Sequence, residues 1–300
     1  MEKKALILGG GSILGGFEAG EICAVLENGY SPSIVAGISV GSCNGAYIVN
    51  AKANNQWHEI GKMLWNFWVK NIRAPNDVVK KRKVLSLGWS IYRKKFNGLT
   101  DTAPIDTLIE KMIDMDNIRN SGVDFSVGTV NINDANIMYA QPHSPNFKEY
   151  VKASKAIPIV MPCVGIGFQT FVDGGLVDSA PIGEAIKKGA TEIIVCTPHP
   201  EKLGGAEINT GDILELTDRV VSIMLNNTLN NDIKLAQLIN QLCPADGSAK
   251  PDEPYKGKRR IPITVIRPDN LISISLSKFT KDDVRMMLET GYATAKNILN

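Results

Sequence analysis

The sequence predicts an α/β fold in which a largely parallel sheet is covered by helices on both faces. Short apolar runs alternate with helical patterns from the N-terminus onward, and the runs are too continuously apolar to leave one face in water. The 300 residues are 44% hydrophobic, enough to fill a large core. With 21% charged and 6% aromatic residues the composition excludes disordered, collagen-like and coiled-coil classes.

Ala5 to Leu8 is the first buried strand, closed by the cluster Gly9-Gly10-Gly11. Its apolar run stops at Gly9 and never becomes the core of a signal peptide. Phe17 to Asn28 reads as a helix ended by Gly29, Ile34 to Gly37 as a second strand, and Cys43 to Ala53 as a second helix. Trp57, Ile60, Leu64, Trp65 and Trp68 fall on one helical face, the pattern of an amphipathic helix packed on a core. Asn66 to Gly98 then carries Lys70, Arg73, Lys80, Lys81, Arg82, Lys83, Arg93, Lys94 and Lys95 against Asp77; nine cations less one anion give +8 in a chain of net charge +2.

Beyond this segment, Pro104 to Met115 predicts a helix, and Val123 to Val130 pairs with Ile137 to Tyr139 as a hairpin around Asn133-Asp134-Ala135-Asn136. Ile193 to Cys196 and Ile263 to Ile266 are later buried strands, and the polar, proline-bearing stretch from Cys243 to Arg260 is a surface loop. Thr280 and Asp283 form a capping box for a last helix running through Val284, Met287, Leu288, Ala295 and Ile298. No repeat or linker divides the chain, so one domain over residues 1–300 is expected, with a basic, cap-like helical segment around 57–98.

Chemistry is concentrated at three places. Gly37-Ile38-Ser39-Val40-Gly41 follows a strand and opens a helix, the context in which G-x-S-x-G becomes a nucleophile elbow. The tight turn projects the Ser39 hydroxyl, and Gly37 and Gly41 let the backbone bend without clashes. The helix N-terminus behind it, beginning with the Val40 N–H, favours a developing oxyanion. Gly9-Gly10-Gly11-Ser12 supplies further donors, because the N–H groups of Gly10, Gly11 and Ser12 can approach a reacting carbonyl closely. A dinucleotide-binding turn is excluded, since G-x-G-x-x-G fails at Leu14 in one register and at Ser12 in the other. Finally, Phe171-Val172-Asp173-Gly174-Gly175 delivers one carboxylate into a glycine turn; Asp173 is either a plain turn residue or a base for Ser39.

The balance of 33 basic and 31 acidic side chains excludes nucleic acid as the main partner. Five scattered cysteines without a C-x-x-C pair suggest neither a disulfide framework nor a zinc knuckle, and fit a reducing, cytoplasmic location. His58, His143 and His199 lack H-E-x-x-H spacing, so no metal or cofactor is expected. No run approaches the ~20 apolar residues of a spanning helix, so a soluble chain, or one attached to a membrane only from one side, is expected. Lys80 to Lys83 and Arg93 to Lys95, with Trp89, Tyr92 and Phe96, form a candidate contact with anionic headgroups.

These pieces together resemble the patatin-like phospholipase family. The matching residues are the first strand and its glycine loop, the elbow with Asn44-Gly45-Ala46 after it, Ala153-Ser154-Lys155-Ala156-Ile157-Pro158 with Pro162, Asp173-Gly174-Gly175 with Pro181, Val265-Ile266-Arg267-Pro268, and Gly291-Tyr292-Ala295 in the closing helix. The resemblance implies a three-layer α/β/α sandwich and a Ser–Asp dyad, with Ser39 as nucleophile and Asp173 as base, hydrolysing lipid acyl esters. One departure stands out: the family's loop usually carries Lys or Arg before its last glycine, and Leu14 occupies that place here. Either the loop is one residue longer or Ser12 replaces a glycine. Two other uses of the same groups are open: transfer of the acyl group to an alcohol, and lipid or acyl-carrier binding without catalysis. Within hydrolases, a Ser39–Asp173–His199 triad is the rival arrangement.

Overall fold

The computed structural model describes residues 2–205, 207–246 and 257–300. In chain order the elements are β1 (Lys4–Leu8), α1 (Gly15–Glu27), β2 (Ile34–Ile38), α2 (Val40–Lys52), α3 (Trp57–Asn71), β3 (Lys80–Lys81), α4 (Val84–Tyr92), β4 (Thr100–Asp101), α5 (Ala103–Met112) and α6 (Met115–Asn120). They continue as β5 (Asp124–Asn131), β6 (Asn136–Ala140), α7 (Phe147–Ser154), β7 (Val164–Ile166), β8 (Gln169–Asp173), α8 (Ile182–Lys187), β9 (Glu192–Cys196), α9 (Ile213–Leu242), β10 (Ile263–Ile266) and α10 (Lys281–Leu299).

Eight strands form one sheet in the order β10-β9-β1-β2-β5-β8-β7, with β6 on the other edge of β5. The five strands from β10 to β5 are parallel, as the alternation of strands and helices predicts. The pairs β5–β6, β5–β8 and β7–β8 are antiparallel, so the sheet is mixed at this end; β5–β6 and β7–β8 are hairpins, whose short turns leave no room for a crossover helix. Successive strand residues feed opposite cores. Leu6, Leu8, Val35, Ile194 and Cys196 pack with Phe17, Ile22, Ile48 and Met287 on one face, whereas Ala5, Ile7, Ile34, Ala36, Ile193 and Val195 meet Ile182, Leu229 and Ile233 on the other. The result is a helix–sheet–helix sandwich.

Several boundaries differ from the expected ones for local reasons. The helix expected over Pro104 to Met115 is two, because Ile113 is extended and the Asp114 side chain accepts the N–H groups of Asp116 and Asn117, capping a new start. Helix α2 begins at Val40, immediately after Ser39, rather than at Cys43, and α1 begins at Gly15. The capping box of Thr280 and Asp283 forms as expected, but Ile298 is 44% exposed and lies off the packed face of α10. Helix α9 falls where sequence periodicity assigned nothing; its inward stripe Val221, Leu225, Leu229 and Ile233 repeats every four residues, but a polar surface rich in asparagine dilutes it. The expected loop from Cys243 to Arg260 follows α9, and its residues 247–256 lie outside the described residues.

Candidate active site

Ser39 occupies the sharp turn between β2 and α2 at φ 55° and ψ −129°, a conformation that costs an L-residue on the order of 1 kcal/mol or more. Its surroundings impose it. The Ser39 N–H donates to Ser154 Oγ at 2.9 Å, while Ser39 O accepts the Ser42 N–H at 3.0 Å and the Ser42 hydroxyl at 2.6 Å. The flanking glycines answer to close approach: a Cβ on Gly37 would lie 2.6 Å from Gly41 O, and one on Gly41 would lie 2.4 Å from Leu8 O.

Sheet register brings Asp173 to this turn. Strand β5 pairs with β2 as far as Gly128, opposite Ile38, and the next residue, Thr129, pairs with Asp173 of β8. Because β6 holds the other edge of β5, β2 and β8 share one edge. They run in opposite directions, so their C-terminal ends meet head to head. The segment after α7 braces both: the Ser154 hydroxyl that takes the Ser39 N–H donates onward to Gly128 O at 2.7 Å, and Ala156 O accepts the Asp173 N–H at 3.0 Å. The Ala153 to Pro158 run thus clamps the two candidate residues to the same strand.

The Asp173 side chain is enclosed, with 1% of the residue exposed. Its Oδ1 accepts the Gly175 N–H at 2.8 Å. The Ser39 hydroxyl lies near enough to the carboxyl to favour its charged form without a formed hydrogen bond between them, and Oδ2 has no hydrogen-bond partner. Burial pushes the carboxyl pKa up to about 6, while Ser39, the Gly175 N–H and the Lys155 ammonium pull it back down. A carboxyl so placed is largely ionised at neutral pH and accepts a proton more readily than an exposed aspartate.

Lys155 is a site residue that sequence reasoning did not single out. It is buried, approaches Asp106 Oδ1 of α5 at 2.8 Å as an ion contact rather than an aligned hydrogen bond, and lines the same cleft as Ser39. A lysine between Ser154 and Ala156, in an otherwise small and apolar run, was the available signal. Leu14, in contrast, is buried against the interior, where it helps line a small cavity with His199 and Leu225.

The glycine loop stands against the Ser39 turn: a Cβ on Gly10 would lie 2.9 Å from Ser39 Cβ and 3.5 Å from its Oγ. Gly9 N–H is spent on Cys196 O, but the N–H groups of Gly10, Gly11 and Ser12 have no protein acceptor among the described residues. Ser12 sits at φ 54°, a left-handed position where glycine costs least, which fits its replacing a glycine of the loop. Val40 is the first residue of α2, so its N–H has no partner inside the helix. A buried network fixes the loop helix to the elbow helix: Asn44 Nδ2 donates to Gly15 O and to Glu18 Oε2, and Asn44 Oδ1 accepts the Trp68 Nε1–H at 2.9 Å. Burial holds both Glu18 and Glu21 well above the usual carboxylate range.

From Ser39 an apolar cleft extends past Val40, Phe67, Trp68, Leu108, Met112 and Met161. Its free volume is about 60 Å³, a few waters' worth, too little for a long chain with the side chains where they stand. His199 lies elsewhere. It is buried with neither ring nitrogen hydrogen-bonded, and burial followed by the nearby Arg267 pushes its pKa down to about 4. It lines the small cavity under α9 and not the Ser39 cleft, so the structure does not bring it into a triad.

Comparison with known proteins gives the chain a family. The sequence model of the family described as patatin-like phospholipase matches residues 6–186, from β1 through the elbow and Asp173 into α8. The chain belongs to the patatin-like phospholipase family. This patatin-like chain is similar to the lysophospholipase NTE1 of the yeast Meyerozyma guilliermondii, with 25% identity over 200 residues, covering 64% of this chain but only 12% of that protein. The solved structure of VipD from Legionella pneumophila aligns over all of this chain and 67% of its own, at 13% identity and a TM-score of 0.46.

Proposed function

We propose that this chain is a lipid acyl hydrolase of the phospholipase A or lysophospholipase type, working through an acyl-serine intermediate. The observation that carries the reading is the head-to-head meeting of β2 and β8, which sets the Ser39 hydroxyl beside an enclosed carboxyl at the end of an apolar cleft. Family membership and the likeness to a lysophospholipase support it.

In this mechanism Asp173 Oδ2 takes the Ser39 proton as Oγ bonds to the ester carbonyl carbon. Charge develops on the carbonyl oxygen and is held by the N–H groups of Gly10, Gly11, Ser12 and Val40. Collapse of the tetrahedral species breaks the bond to the leaving alcohol, which receives the proton from Asp173. Water then attacks the acyl-serine, giving its proton to Asp173, and the fatty acid leaves as Oγ recovers it. Lys155 keeps the carboxyl ionised between steps. The acyl chain occupies the cleft toward Met112, and the leaving group faces outward. Among the described residues no helix is long and apolar enough to cross a membrane. The reading also has a cytoplasmic protein meet its lipids peripherally, at an anionic membrane surface.

The test is covalent. A fluorophosphonate carrying an alkyl chain is expected to label the protein once, and peptide mass spectrometry is expected to find the adduct on Ser39. Folded protein that stays unlabelled would overturn the hydrolase and leave a binding module. The same reading expects His199→Gln to keep hydrolysis of a soluble ester within a factor of a few. A loss of about a thousandfold or more would signal a triad.

A further inference from the structure

Between Lys80 and Leu99 the chain leaves the body of the molecule and returns. Its base is the antiparallel pair β3–β4, with Lys80 opposite Asp101 and Lys81 opposite Thr100. Helix α4 lies at its tip and turns large apolar side chains to water: Leu85 is 90% exposed, Trp89 57% and Tyr92 81%. These three follow one another at spacings of four and three, so they share one helical face; Phe96, 39% exposed, follows beyond the end of the helix. Lys80, Lys81, Arg82 and Lys83 precede the helix and Arg93, Lys94 and Lys95 follow it, with no acidic residue from Val78 to Leu99. None of these seven cations has a carboxylate partner among the described residues. The Arg93 guanidinium lies 4.5 Å from the Trp89 ring centroid, and the Trp89 and Tyr92 rings stack at 5.9 Å.

We propose that residues 80–96 form a docking surface for an anionic phospholipid bilayer, with α4 lying in the plane of the interface. An apolar stripe of Leu, Trp and Tyr bounded by unpaired cations matches a surface that is negative outside and greasy within. A second copy of the chain fits poorly, because a symmetric contact would set seven cations against seven.

Position connects this surface with the candidate site. Thr100 N–H and Oγ1 both donate to Val160 O, at 3.0 and 2.7 Å, and Leu99 N–H donates to Ile159 O at 2.8 Å, so the return strand is stitched to the segment that carries Ile157 and Met161 into the acyl cleft. Lys80, Lys81 and Thr100 line a cavity of about 510 Å³ whose wall includes Leu276, a residue shared with that cleft. Docking along α4 brings lipid to the excursion whose base borders this cavity. The consequence for turnover rests on the hydrolase reading, whereas docking itself does not.

Co-sedimentation with vesicles of phosphatidylcholine, alone or mixed with phosphatidylserine, tests the surface. The full chain is expected to bind the mixed vesicles and to dissociate as salt rises. Arg93→Ala/Lys94→Ala/Lys95→Ala is expected to bind them about a hundredfold more weakly, and Leu85→Ala/Trp89→Ala/Tyr92→Ala at least tenfold more weakly. Both variants alter exposed side chains, so they are expected to hydrolyse a soluble short-chain ester like the parent and to lose activity only on vesicle lipid. Binding that ignores lipid charge, or that both variants retain, would overturn the proposal. So would self-association of the parent abolished by the same substitutions, which would make the surface a contact between copies. Vesicle binding by a parent inert toward the soluble ester would uphold docking and reject the hydrolase.

Discussion

Asp173→Asn is expected to abolish most turnover while making the protein more stable. Removing the proton acceptor leaves the nucleophile turn, the glycine loop and the cleft in place, and loss of a comparable partner of the base in other hydrolases lowers turnover about ten-thousandfold. Stability moves the other way because burial holds the Asp173 pKa at about 6, above its ordinary 3.8. A carboxyl whose folded pKa is raised binds more protons folded than unfolded, so its contribution to stability falls as pH rises between about 4 and 6 and stays lost above that range. Two pKa units correspond to about 3 kcal/mol. An amide that keeps the Gly175 bond recovers part of this, on the order of 1–2 kcal/mol, or about 2–4 °C in melting temperature. The gain is expected to be full above pH 6 and to vanish near pH 4, where the wild-type carboxyl is itself neutral. Thermal melts of both proteins across this range check the sign, and equal melting temperatures at pH 7.5 would reject a strained, ionised carboxyl. The wild-type pH–rate profile is expected to show an acidic limb near pH 6 from the same group, which Asp173→Glu would shift rather than remove.

Ser39→Ala is expected to lower turnover on a soluble ester by about a millionfold, to the level set by binding and the oxyanion donors. It should also eliminate fluorophosphonate labelling. The fold should persist, because Ser42, Ser154 and Gly41 define the turn through the backbone of residue 39 and not through its hydroxyl. Mass spectrometry of fatty acids released from a lipid extract, wild type against Ser39→Ala, then identifies the substrate. Residual turnover within a hundredfold of wild type would place the nucleophile elsewhere.

Local signals explain what was legible in advance. Strands β1, β2 and β9 announce themselves as apolar runs because each is buried on both faces, and β10, half-buried at the sheet edge, is apolar enough to follow them. The β5–β6 hairpin declares its turn, and α10 its cap, within a few neighbouring residues. The elbow at Ser39 belongs to the same class, since its geometry is enforced by glycines two positions away on either side. Where a partner lies far along the chain, legibility fails. Lys155 gains its meaning from Asp106 on α5 and from Asp173 on β8. Helix α9 is needed to cover the turn after Asp173, where Leu225 meets Gly175, but its four-residue stripe is faint beside its polar face.

The amino-acid order by itself determined a strand that turns abruptly into a helix at one serine, because the atoms that force such a turn are covalent neighbours. Where an aspartate 134 positions later (173 − 39) comes to lie relative to that serine is set only by strand pairing. Register along β5 sets where β8 ends, and the packed interior sets how much water its carboxyl loses. Both are properties of segments brought together from across the chain, and no window of sequence contains them.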